Sequence, residues 1–140
     1  RPVVWAALIL LPAIAFYLHA GIAEALDYVK DNARRETQLG ELRKVLSEDA
    51  RAWGQAEVIV MTRNPWEVHE ATGFKALQIP NNDRDTILRL AERFGANYLL
   101  LPAPRPALNA LNRNPQSDPR FAFVAKVPGS KLKAFRILPP

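Results

Sequence analysis

The chain contains no cysteine, and this absence excludes disulfide bonds and thiolate metal sites. Its two histidines, His19 and His69, lie far apart in the sequence, so they do not have the spacing of a zinc site. The six glycines are isolated from one another and form no glycine-rich phosphate loop. No serine lies in a nucleophile-elbow sequence. We therefore expect no metal ion and no cofactor.

Charge is also missing from one long segment, residues 2–23, which consists mostly of apolar side chains. A helix of about 20 apolar residues can cross the hydrocarbon core of a bilayer, which is roughly 30 Å thick. Trp5 and Tyr17 lie near the two ends of the segment, where aromatic anchors meet the membrane interface. We predict that residues 1–23 form the last transmembrane helix of a longer protein, because the chain begins at Arg1 and not at methionine. A signal peptide and a buried soluble helix are the alternatives.

Residues 24–140 predict one α/β domain, because helical and strand-like apolar patterns alternate along them. An apolar stripe predicts an amphipathic helix over residues 37–53, after a break at residues 31–36. Three short apolar runs predict buried strands, and the helices between them imply parallel pairing with right-handed crossovers. The strands are predicted at residues 58–61, 76–79 and 97–101, and the intervening helices at residues 65–72 and 83–94.

The carboxyl-terminal part of the chain predicts a β-hairpin. Two strand-like runs, residues 121–127 and 131–138, are joined by the turn sequence Pro-Gly-Ser. We expect the apolar residues at odd positions from Phe121 to Val127 to share one face. The predicted fold is therefore a short, mainly parallel three-stranded sheet with flanking helices, followed by an antiparallel hairpin.

The net charge of +5 is concentrated at the carboxyl end, where residues 105–140 carry seven basic side chains and only one acidic one, Asp118. One interpretation is a surface that faces anionic lipid headgroups or a phosphate-bearing substrate. The other is a solvated hairpin whose lysines prevent pairing with other sheet edges. Basic and aromatic residues also interleave here, as in single-strand binding surfaces, but a membrane segment upstream argues against nucleic acid as a partner.

Polar and aromatic side chains follow the first two predicted strands, and open α/β sheets bind ligands at the carboxyl ends of parallel strands. An aromatic ring, amides, carboxylates and an arginine together suit a sugar or sugar-phosphate ligand. Several of these residues also have a structural explanation: Trp66 anchors its helix to the core, Glu67 favours the helix dipole, His69 is a surface or packing residue, and Asn82 or Asp83 caps the helix predicted at residues 83–94. The candidate ligand-binding residues are Arg63, Trp66, Glu67, His69, Asn81 and Asn82.

Three segments of the sequence carry a resemblance to a known class of proteins. They are Val-Met-Thr-Arg-Asn-Pro-Trp-Glu at residues 60–67, Thr-Gly-Phe-Lys-Ala-Leu-Gln-Ile-Pro-Asn-Asn-Asp at residues 72–83, and Arg-Phe-Gly-Ala-Asn-Tyr-Leu-Leu-Leu at residues 93–101. Together with the final basic-aromatic hairpin, they resemble the carboxyl-terminal extracytoplasmic region of bacterial GT-C type membrane glycosyltransferases. This class is related to protein O-mannosyltransferases and lipid A aminoarabinose transferases. The resemblance covers most of residues 3–138.

The resemblance implies a polyprenyl-phosphate-linked sugar donor and a catalytic acid in a loop near the first membrane helices, which this chain does not contain. We therefore expect an accessory, non-catalytic domain with no catalytic residue of its own, held on the extracytoplasmic side of the cell membrane. Its implied partners are membrane lipid, the rest of the transferase, and a polyprenyl-phosphate sugar donor or acceptor. The alternative is a membrane-tethered α/β module that binds a small ligand or a protein and has no transferase activity.

Overall fold

A computed structural model describes residues 2–101 and 105–140, and the side-chain environments from residue 16 onward. The chain is an α/β protein that divides into two compact units, Arg1–Glu36 and Thr37–Pro140. The elements, in chain order, are α1 (Pro2–Ala52), β1 (Ile59–Thr62), α2 (Pro65–Thr72), β2 (Lys75–Gln78), α3 (Arg84–Phe94), β3 (Tyr98–Leu101), a 3₁₀ turn (Pro106–Leu108), α4 (Asn109–Arg113), β4 (Phe121–Lys126) and β5 (Lys133–Ile137).

The first unit is formed by the amino-terminal part of α1. Large apolar side chains along its described turns are exposed, including Ile22, Leu26 and Val29. Across the residues that the structure describes, no helix has the length and apolar character needed to cross a membrane. The predicted transmembrane helix rests mostly on the apolar side chains of residues 1–15. These side chains lie outside the described part of the structure.

The predicted helix break at residues 31–36 is wrong, because α1 continues through this stretch. The six residues include neither proline nor glycine, and their charged and alanine side chains are compatible with a helix interior. The charge cluster therefore marks an exposed part of α1 and does not mark its end.

The second unit contains a five-stranded mixed sheet in the order β2-β1-β3-β5-β4. β1 pairs in parallel with both β2 and β3, which follows the predicted parallel arrangement. The hairpin of β4 and β5 is antiparallel, and β5 also pairs with β3, from Tyr98 opposite Arg136 to Leu101 opposite Lys133. The hairpin thus extends the parallel strands into one sheet, whereas the sequence predicted two separate strand groups.

Helices cover both faces of this sheet. The last turns of α1 pack on one face through Leu42, Leu46 and Ala50, together with Val68 of α2. α3 and α4 pack on the other face, where Ile87 is fully buried. Because β2 and β3 lie on opposite sides of β1, right-handed crossovers require α2 and α3 to lie on opposite faces, as they do. This arrangement buries β1 and β3 in the core, whereas β2 lies at the edge of the sheet and is only partly buried.

Local signals set the ends of the two crossover helices. Pro65 occupies the first turn of α2, and Gly73 ends that helix in the left-handed conformation with a φ of 73°. The Asp83 side chain caps α3 by accepting a hydrogen bond of 2.8 Å from the Thr86 amide. These ends were predicted correctly because proline, glycine and a capping carboxylate act within a few residues of the chain.

The expectation that odd-numbered residues from Phe121 to Val127 share one face is wrong. The register of β4 against β5 shifts between Phe123 and Ala125, so Val124 has no direct counterpart in β5. The extra residue of this β-bulge reverses the alternation of side chains. As a result Phe121 packs in the core on the α3 face, and Val127 packs in the core on the α1 face.

Candidate functional site at the carboxyl edge of the parallel strands

The loops after β1 and β2 leave the sheet side by side. The two strands are parallel, and the Ile79 amide extends their pairing by donating a hydrogen bond of 2.9 Å to the Thr62 carbonyl. The chain therefore enters both loops, at Arg63 and Pro80, from the same edge of the sheet. α2 and α3 begin at this edge as well, and their amino ends give it a positive electrostatic character.

The first loop carries Arg63, Trp66 and Glu67. Trp66 is 74% exposed, so the expectation that it anchors α2 to the core is wrong. The helix is held instead by Val68, whose side chain is buried two positions later. Glu67 accepts a hydrogen bond of 3.1 Å from the Asn64 side chain, which ties the first turn of α2 to the residue before it. The loop thus presents an exposed aromatic ring beside an exposed arginine.

The second loop carries Asn81 and Asn82, and the structure joins it to the segment after β3. Arg105 donates from Nη1 to the Pro80 carbonyl over 3.1 Å and to the Asn81 Oδ1 atom over 2.8 Å. The loop and residues 105–107 line a partly open cavity of about 160 Å³. Its lining residues are Pro80, Asn81, Asn82, Ile87, Arg105, Pro106 and Ala107.

His69 lies at the opposite edge of the sheet from these loops. It is in the last turn of α2, where its Nδ1 atom donates a hydrogen bond of 2.8 Å to the Phe74 carbonyl just before β2 begins. It lines an open groove of about 600 Å³ together with Arg51, Glu57 and Lys75. Of the predicted site residues, the structure therefore places five at the carboxyl edge and His69 at the amino edge.

The basic side chains at this amino-edge groove have a structural explanation. The groove lies where α1 and α2 end, and the carbonyl ends of helices carry partial negative charge that cations compensate. Lys75 is also paired with Glu57 over 2.8 Å. The two helix ends therefore explain why basic side chains lie at this groove.

Several basic residues of the carboxyl-terminal segment are bound within the protein. Arg136 makes two hydrogen bonds of 2.6 Å to Asp49, and Arg120 donates to Glu92 over 2.8 Å. The Arg136 guanidinium holds the pKa of Asp49 below its ordinary value of 3.8, and burial only partly opposes this. The basic segment is therefore neutralised in part by acidic residues of α1 and α3.

Asp118, the acidic residue of that segment, secures the long connection before β4. It accepts a forked pair of hydrogen bonds from Arg84 at the start of α3. This guanidinium holds the pKa of Asp118 below 3.8, again against partial burial. The segment before β4 is thereby fixed against α3 on the same face as the carboxyl-edge cavity.

No family model, curated protein or solved structure matches this chain. Within the described residues, no three histidine, aspartate or glutamate side chains are grouped so that they could hold a metal ion. The assignment of a function therefore depends on the geometry of the carboxyl edge and on the sequence resemblance described above.

Among the described residues of this edge, sequence reasoning missed Arg105. It lies four positions after the end of β3, in a proline-rich stretch to which the sequence reasoning assigned no site residue. The rule that ligands bind at the carboxyl ends of parallel strands applies to β3 as well as to β1 and β2. Applied to all three strands, it would have included Arg105.

Proposed function

We propose that this chain is the accessory, non-catalytic domain of an integral-membrane glycosyltransferase that uses a polyprenyl-phosphate-linked sugar donor. One observation carries the proposal. The segments that resemble such transferases, residues 60–67, 72–83 and 93–101, form the parallel part of the sheet and both carboxyl-edge loops. Their buried residues are explained by the core, whereas Arg63, Trp66 and the two asparagines are exposed at the carboxyl edge and are available to a ligand.

The chemistry of the carboxyl edge suits contact with a sugar-bearing acceptor or donor. The exposed Trp66 ring offers a flat apolar surface for the apolar face of a pyranose ring, and Glu67, Asn81 and Asn82 offer acceptors and donors for hydroxyl groups. Arg63 offers a cation for a phosphate. In this proposal these five residues border the ligand groove, and His69 has no part in it because it lies at the opposite edge.

The proposal assigns catalysis to the part of the parent protein that lies outside this chain. The resemblance puts the catalytic acid in a loop near the first membrane helices, so the domain acts by holding a ligand or by contacting the membrane part. It is held on the extracytoplasmic side of the cell membrane. Its partners in this proposal are membrane lipid, the rest of the transferase and a polyprenyl-phosphate sugar donor or acceptor.

A tethered binding module without transferase activity is the second candidate. The cavity beside Arg105 favours it, because a small concave space with a fixed cation suits a small ligand. The two candidates differ in what precedes residue 1: many apolar spans support the transferase, and a single short leader supports the tethered module.

The test uses the complete protein that contains this chain, purified and reconstituted in liposomes with a polyprenyl-phosphate sugar donor. The double variant Arg63→Ala, Trp66→Ala is compared with the control Arg113→Gln. Arg113 is an exposed arginine of α4 and is not among the proposed ligand-binding residues. We expect the double variant to reduce the rate of sugar transfer and the control to leave it unchanged, while the isolated 140-residue chain shows no turnover. Equal rates in both variants, or turnover by the isolated chain, contradict the proposal.

A further inference from the structure

We infer that the cavity beside Arg105 is a binding site for the oxyanion of a small ligand, a phosphate monoester or a carboxylate. The inference does not depend on the transferase proposal, since it uses only the contacts of Arg105 and the shape of the cavity. Of the residues that line the cavity, Asn81 and Asn82 are the two that the transferase proposal also uses.

Arg105 has a charged guanidinium whose hydrogen bonds in the described chain go to neutral groups. Its two hydrogen-bond acceptors in the described chain, the Pro80 carbonyl and the Asn81 side-chain oxygen, are both neutral. Arg84, Arg120 and Arg136 by contrast each bind a carboxylate. Arg105 is thus held in place without an anionic partner among the described residues, and its positive charge is available to a ligand.

The Arg105 guanidinium is held in a fixed orientation. The two bonds from Nη1 fix the plane of the guanidinium, and the remaining N–H groups have no other acceptor in the described part of the chain. A planar fork of N–H donors matches the two oxygens of a carboxylate or phosphate. A ligand that binds there does not have to order a flexible side chain, so less of its binding energy is lost.

The Arg105 cation lies beside apolar residues. Pro80, Ile87, Pro106 and Ala107 give the cavity apolar walls, which strengthen electrostatic interactions inside it. At about 160 Å³ it has room for roughly five water molecules at their volume in liquid water, which suits a small oxyanion group. It also lies at the carboxyl ends of parallel strands, where open α/β sheets bind ligands.

Two acidic residues near the start of α3 have other partners. Asp83 is bound to the amide and the hydroxyl of Thr86. Asp85 accepts a hydrogen bond of 2.8 Å from Arg84. Neither side chain lines the cavity, so Arg105 is the charged residue that a ligand meets there.

The experiment titrates the ¹⁵N-labelled 140-residue chain with inorganic phosphate, with acetate and, as a neutral control, with glucose. We expect saturable shifts of the backbone amide signals of Asn82, Arg105 and Ala107 with one or both anions, and none with glucose. If phosphate saturates at lower concentration than acetate, the natural ligand is a phosphate ester; the reverse order indicates a carboxylate. Shifts that do not saturate with either anion overturn the inference.

Variants separate binding from folding. Arg105→Gln is expected to weaken anion binding by at least about tenfold, because a charge-assisted hydrogen bond is lost. Arg105→Lys keeps the charge without the fork and should bind with intermediate affinity, and Arg113→Gln should bind as the unmodified chain does. Asn82→Ala changes a residue that lines the cavity and leaves the hydrogen-bond acceptors of Arg105 in place. This variant replaces Arg105→Gln in the test if Arg105→Gln does not fold. Unchanged affinity in a folded Arg105→Gln variant, or in Asn82→Ala if Arg105→Gln unfolds, contradicts the inference.

Discussion

The carboxylate of Asp49, near the end of α1, accepts two hydrogen bonds of 2.6 Å from Arg136 in β5. The Tyr98 hydroxyl of β3 donates a third bond of 2.8 Å to the same carboxylate. Trp53 completes the cluster, since the Arg136 guanidinium lies 5.3 Å from the centre of its ring. One half-buried carboxylate thereby joins the last turns of α1 to two neighbouring strands.

Replacement of this carboxylate is expected to destabilise the protein. In the variant Asp49→Ala, Arg136 and Tyr98 lose their shared acceptor in a half-buried position, which should lower the free energy of unfolding by about 2–3 kcal/mol. The control is Glu48→Gln, a change at the exposed neighbouring residue of the same helix. Urea unfolding followed by circular dichroism measures both. An equal effect of the two changes would show that the Asp49 contacts do not stabilise the fold.

Acid should remove the same stabilisation. The folded protein holds the pKa values of Asp49 and Asp118 below the ordinary value of 3.8, through Arg136 and Arg84 respectively. A lowered pKa in the folded state gives stability that is present above the unfolded value and is lost as the pH falls through the folded one. We therefore expect the free energy of unfolding to decline as the pH falls below 3.8.

The variant Asp49→Asn tests the origin of this decline. It should be less stable than the unmodified chain at neutral pH, and the difference should narrow as the pH falls, because the carboxylate is then protonated in both states of the unmodified chain. Urea unfolding measured at a series of pH values provides the comparison. A difference that stays constant across the acidic range would assign the effect of Asp49 to packing and not to its charge.

The two parts of α1 are expected to respond differently to the same substitution. Leu46 is fully buried against the sheet, so Leu46→Ala should cost about 2–5 kcal/mol through lost burial and a residual cavity. Leu26 is 54% exposed in the same helix, so Leu26→Ala should change the free energy of unfolding by less than about 0.5 kcal/mol. Thermal unfolding of both variants gives the comparison. A large loss in Leu26→Ala would mean that this side chain is covered by something the described chain does not contain.

Much of the candidate site followed from local sequence. Short apolar runs and the helices between them predicted three parallel strands, and parallel strands present their carboxyl ends at one edge. Arg63, Trp66, Glu67, Asn81 and Asn82 were expected at that edge and lie there. His69 was grouped with them because it follows Trp66 closely in sequence. α2 carries it back to the other edge, since a crossover helix runs antiparallel to its strands.

The sequence by itself determined where α2 and α3 begin and end, and that their strands pair in parallel, because proline, glycine, caps and apolar runs act through neighbouring residues. Only the tertiary structure decided that β5 joins β3, that a bulge turns Phe121 and Val127 to opposite faces, and that Asp49 meets Arg136. It also decided that Arg105 is held by neutral acceptors at the carboxyl edge. Such contacts join residues distant in the chain, and their free energy depends on packing and solvent exposure that no local pattern encodes.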